Sequence, residues 1–148
     1  MVGQNTAWAG EHPACQDLAY DYHANSAAGL REIARTCHDP AIARLYYNRA
    51  YHLDLIHRAR EQSDLISYSS RSGQYLATPE RVRQMESYQL YMALIEAMAP
   101  RWFDDPAERI AFLNEEYDRH GELAELRLKG YDHLADFKER EFRRQRGN

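Results

Sequence analysis

"YYNRAYHLDLIH", residues Tyr46 to His57, is the stretch whose rotation on a helix decides how this chain is built. At 100° per residue, Leu45, Tyr46, Leu53 and Ile56 gather with Ile42 on one face, and Arg49 falls near the middle of it. A lone charge there is costly to bury. Arg49 therefore calls for a carboxylate partner, a bound anion or an outlet to solvent along its stem. A structural ion pair is the first expectation. If the protein takes a small acidic ligand, Arg49 is its counter-charge, with Tyr46 and Asn48 beside it. Tyr47, Tyr51 and Leu55 line the side away from this face. A helix with two such faces is either central in a bundle or also meets another chain.

The same rotation weighs the histidines. His52 and His57 are five residues apart and point ~140° away from one another, so they cannot hold one ion from the same helix. Asn48 and His52 share one side, and Asp54 and His57 share another. These are two half-sites. Either becomes a metal site only with ligands from elsewhere. His120, with Glu116 one turn before it, is the best source, and His23 is a second. His52 and His120 are accordingly the candidate ligands for a divalent transition metal, although the base expectation is no cofactor. The paired Glu-x-x-His motifs of a di-iron bundle are missing from the sequence.

Outward from this stretch the pattern stays helical. Cys15, Leu18, Tyr22, Ser26, Leu30, Ile33 and Cys37 recur every three or four residues and predict one helix from Pro13 to about Cys37. Its small run, Ala24 to Gly29, allows close approach of a neighbour. Asp39-Pro40 starts a second helix to about Ser67, and the Ser- and Gly-containing stretch after it, up to residue 78, reads as a loop. Thr78-Pro79 opens a third helix to about Ala99. Its two lines are Val82, Met85, Met92 and Ala99, and Tyr88, Tyr91, Ile95 and Met98. "DDPAE" opens a fourth, with Asp105 as cap and Ile110, Leu113, Tyr117, Ala124 and Leu128 on one face. A last helix, Asp132 to Arg146, has Leu134, Ala135 and Phe137 for its inner side. The expectation is an all-α, mainly antiparallel bundle of about five helices over residues 13–148, with an N-terminal arm over 1–12 that Trp8 can pin.

The chain has 148 residues, 44% hydrophobic and 28% charged, which suits one domain with a real core. No window resembles a membrane span or a secretory leader, so the expected location is the cytoplasm and no membrane partner is expected. A net charge of -4 disfavours nucleic acid as a partner. The basic end, with Lys138, Arg140, Arg143, Arg144 and Arg146, complements a helix dipole. Cys15 and Cys37, if on one continuous helix, lie ~33 Å apart and stay as reduced thiols.

"NRAYH" (Asn48 to His52), followed by "HGELAELRLKGYDHLA" (His120 to Ala135), resembles the C-terminal effector-binding domain of GntR-type transcription regulators. The resemblance implies a helical bundle in which Asn48, His52 and His120 hold a metal near a carboxylate effector. The position of that family's last histidine falls near Arg143. No nucleophile elbow, phosphate-binding loop or dinucleotide fingerprint points to an enzyme. The leading expectation is a non-enzymatic helical interaction module or assembly subunit that associates with another protein or with itself. The alternative is a helical sensor domain for a metal or a small molecule.

Overall fold

The computed structural model describes residues 10–18, 26–69 and 79–146, with the backbone alone at 62–69 and 79. Trp8, His23 and the loop expected up to residue 78 fall wholly or largely outside these. Among the described residues six helices form: α1 (Ala14–Asp17), α2 (Ala27–Thr36), α3 (Pro40–Ser69), α4 (Pro79–Trp102), α5 (Pro106–Leu128) and α6 (Asp132–Gln145). No strand occurs among the described residues. The starts follow the expected chemistry. Asp39 Oδ1 accepts from the Ala41 N–H at 2.9 Å and Asp105 Oδ1 from the Ala107 N–H at 3.2 Å, with a proline at the first helical position after each. Pro100 does not end α4; the last turn closes past it, through Phe103 N–H to the Ala99 carbonyl at 2.9 Å.

The side-chain pairs fix the directions. Arg49 meets Glu96 and Arg60 meets Glu86, so α3 and α4 are antiparallel. Tyr117 reaches Glu96 and Arg127 reaches Tyr88, which makes α4 and α5 antiparallel in turn. Arg127–Asp136 and Arg146–Glu116 do the same for α5 and α6. α3 and α5 run parallel, matched through Asn48–Asn114 and Arg58–Glu125. Gly121 serves that match: a Cβ there would stand 3.2 Å from Tyr51 Cε2, so the Tyr51 ring lies directly on the α5 backbone.

α3 is the central helix, packed against α2, α4 and α5. The central position accounts for most of its two apolar faces. Leu45, Tyr46, Ala50, Leu55, Ile56 and Ala59 are all buried, while Tyr47 and Tyr51 keep about two fifths of their surface in solvent. The apolar interior is divided into three clusters. Leu55, Ile56, Ala59, Met85, Ala124 and Leu128 make one. Leu45, Met92, Ile95, Ala99, Leu113 and Tyr117 make another. The third, with Cys15, Leu30, Ile33, Ala34, Tyr46 and Ala50, lies under α1 and α2.

Three expectations fail. The first helix is not continuous. Leu18 adopts the left-handed region at φ 62°, ending α1 after one turn. Ser26 then caps α2, its hydroxyl accepting from the Gly29 N–H at 3.0 Å. The spacing of three and four survives the break, so periodicity alone hides it. The chain folds back, and Cys15 and Cys37 form a disulfide with their Cα atoms 5.5 Å apart, in place of two distant thiols. In the last helix only Ala135 is buried; Leu134 and Phe137 are about half exposed. α6 rests on α5 through Ala135 and through Lys138–Glu122 and the Arg127 carboxylate contacts, and among the described residues nothing closes over Leu134 and Phe137.

Candidate functional site

Between the two clusters that α3, α4 and α5 share lies a buried polar layer. Along α3 the buried order is Leu45, Arg49, His52, Leu55, so the two polar residues stand between apolar ones. Arg49 is 1% exposed. Its Nε donates to Glu96 Oε2 and its Nη2 to Glu96 Oε1, both at 2.6 Å, the parallel fork that guanidinium and carboxylate make best. Nη2 also donates to the Leu18 carbonyl at 3.0 Å, and Tyr117 Oη donates to Glu96 Oε2 at 2.7 Å. One ion pair thus ties α3 to α4, α5 and the residue that ends α1. Burial alone would drive the proton off Arg49, but the Glu96 carboxylate outweighs it and raises the guanidinium further above its ordinary value. The Tyr46 ring stacks under Arg49 at 4.8 Å, and its hydroxyl donates to the Ala14 carbonyl at 2.7 Å.

The other expected site residues are placed as follows. Asn48 Nδ2 donates to Asn114 Oδ1 at 3.0 Å, and Asn114 Nδ2 to the Ala41 carbonyl at 3.0 Å. His52 is 3% exposed, edge-on to Tyr117 with ring centroids 5.1 Å apart. His57 turns outward to Glu61 at 3.3 Å, and Asp54 pairs with Arg31. His120 lies between Tyr88 and Tyr91, at 5.9 and 4.7 Å. A positive charge on it disfavours one on His52. The Nε2 of His52 and both ring nitrogens of His120 are buried without a hydrogen-bond partner. Glu116 Oε1, 4.0 Å from His120 Nε2, is beyond hydrogen-bond reach.

A cavity of about 190 Å³ opens beside His120 between α4, α5 and α6, with Tyr88, Tyr91, Arg119, Phe142 and Arg146 among its walls. Its cations are already matched: Arg119 by Glu115, Arg143 by Glu139, and Arg146 by the buried Glu116. Arg49 and His52 do not line it. His52, His120 and Arg49 therefore share a layer and not a cavity. Among the described residues no three or more His, Cys, Asp or Glu side chains converge as a metal set. The basic end is spent similarly, Lys138 on Glu122 and Arg144 on Glu141.

Sequence reasoning passed over Glu96, Asn114 and Arg127, all polar groups held inside or nearly so. A signal existed for Glu96. It stands four residues after Met92 and three before Ala99, on the apolar line of α4, as Arg49 stands on that of α3. Two opposite charges in mid-face on neighbouring helices predict one another.

Among known proteins, the chain matches no family model, no curated sequence and no solved structure. The likeness to GntR-type effector domains therefore rests on the quoted motif residues alone. No described helix is long and apolar enough to cross a membrane.

Burial pushes the His52 imidazole down from 6.5 to about 4, with the His120 charge adding to it. Between those values the unfolded chain binds a proton that the folded chain refuses. Stability contributed by neutral His52 is complete above pH 6.5 and lost as pH falls toward 4, by up to about 3 kcal/mol. Denaturant melts across this window are expected to show a steeper decline for the native chain than for His52→Leu. Parallel curves would mean that the imidazole already carries its proton inside the fold.

Proposed function

We propose that this chain is a non-enzymatic helical interaction module that associates with a second copy of itself. The observation that carries the reading is the outer face of α4. Leu90 and Leu94, one turn apart, are 71% and 58% exposed, while the inner line of Met85, Met92 and Ala99 already fills the core. Exposed leucines in succession on one helix, with no described segment over them, fit a surface covered by assembly. Light scattering after size exclusion is expected to give a dimer mass, reduced to that of one chain by Leu94→Glu. A single-chain mass for the native protein at high concentration would contradict the reading.

A second reading, a metal-binding helical sensor, has its own support in the three orphaned nitrogens of His52 and His120. Buried polar atoms of this kind mark a strained, catalytic or ion-binding place. Asn48, the further ligand implied by the motif, is engaged by Asn114, so binding would require its release. Added zinc is expected to raise the Tm of the native chain and not that of His52→Leu; an equal response in both would remove this reading. As to location, the sequence suggests the cytoplasm, whereas a Cys15–Cys37 disulfide fits an oxidising compartment, since cytosolic thiols are kept reduced.

A further inference from the structure

The outer face of α4 also carries information about how two copies would meet. Arg83, Ser87, Leu90, Leu94, Ala97 and Arg101 are all exposed, and they follow one another at alternating steps of four and three residues. At 100° per residue they lie within an arc of ~80° centred opposite the fully buried Met92. This spacing is that of a helix-pairing seam. The strip also reads alike from either end: arginine, small residue, leucine, then leucine, small residue, arginine. A two-fold interface sets one patch against its own copy, so a strip symmetric about its centre sets leucine against leucine and small residue against small residue, with arginine meeting arginine at each end.

We infer that α4 pairs antiparallel with α4 of a second copy, the two-fold axis passing midway between Leu90 and Leu94. This rests on the self-association reading and specifies its geometry. Leu90 of each copy then faces Leu94 of the other, and Ser87 faces Ala97, so the small side chains let the helices close on the leucines. Sliding the pair by one heptad sets Leu94 against Arg83, or Leu90 against Arg101, and loses the leucine contacts. Charge separates the antiparallel from the parallel arrangement. Arg101 has no ion-pair partner among the described residues, whereas Arg83 already holds Glu80 at 3.2 Å. Antiparallel pairing brings Arg101 of one copy within a turn of Glu80 of the other, where one carboxylate lies between two guanidiniums. Parallel pairing leaves Arg101 facing its own copy, the whole length of the helix from that acid. The leucines supply the attraction, and the charges choose the direction.

Engineered cysteines test this alignment at the two small, exposed positions. The native cysteines are both held in the Cys15–Cys37 bond, so an added thiol reports alone. A disulfide needs Cα atoms within about 7 Å, which the antiparallel pair provides only between positions 87 and 97. Under mild oxidation, Ser87→Cys alone and Ala97→Cys alone are expected to give no covalent dimer. Mixed one to one, they are expected to cross-link in about half of the dimers, the statistical share of mixed pairs under two-fold symmetry. The double variant Ser87→Cys/Ala97→Cys is expected to cross-link throughout, and circular dichroism verifies that each variant stays helical. Covalent dimers from either single variant would show parallel pairing and overturn the alignment. A native dimer by light scattering, with no cross-link in mixture or double variant, would place the contact elsewhere and leave self-association standing. A native chain that never dimerises would remove both.

Discussion

The bundle is organised around the fork between Arg49 and Glu96. A guanidinium 1% exposed in the middle of the central helix can stay charged only if a carboxylate meets it with good geometry, and two 2.6 Å hydrogen bonds supply that. The consequences reach every helix around it. α4 must present Glu96 at the level of Arg49, which sets the register of α3 on α4. Tyr117 must reach the same carboxylate, which sets α5. The carbonyl that Arg49 also holds is that of Leu18, where the chain takes its left-handed turn. The N-terminal segment is secured by this hydrogen bond, by that of the Tyr46 hydroxyl to the Ala14 carbonyl and by the Cys15–Cys37 bond.

The polar layer explains why the interior falls into separate apolar clusters. Apolar packing is permissive in register, because a leucine slipped by one turn still meets another apolar side chain. A buried ion pair is not permissive, since a slip leaves an unpaired charge out of water. The layer also hosts the pair of imidazoles. His52 keeps a neutral ring beside Tyr117, and His120 separates it from the cavity at α6. This arrangement gives up some stability in acid in return for a chemically distinctive place in the core.

Much of this was legible in the residues. The caps at Asp39 and Asp105 and the mid-face position of Arg49 come from local chemistry that tertiary structure does not overrule. What was hidden depended on contacts distant in sequence. The break at Leu18 keeps the helical period, and the Arg49 guanidinium that holds its carbonyl lies on another helix. The disulfide followed from that break. The half-exposed Leu134 and Phe137 look like an inner face because α6 has an amphipathic pattern, yet among the described helices α6 packs chiefly on α5. In the layer itself, Arg49 is committed to Glu96 and Asn48 to Asn114. The sequence singled out Arg49 and Asn48 and could not show that each is held by a partner on another helix.

The double-mutant cycle of Arg49→Met and Glu96→Leu, read by denaturant unfolding, tests the central role of this pair most directly. Each single variant removes one charge of the buried pair and is expected to lose about 3–5 kcal/mol. Together they leave two apolar side chains in contact, and the double variant is expected to be more stable than either single one. Small losses that simply add would contradict the dependence of the bundle on this ion pair.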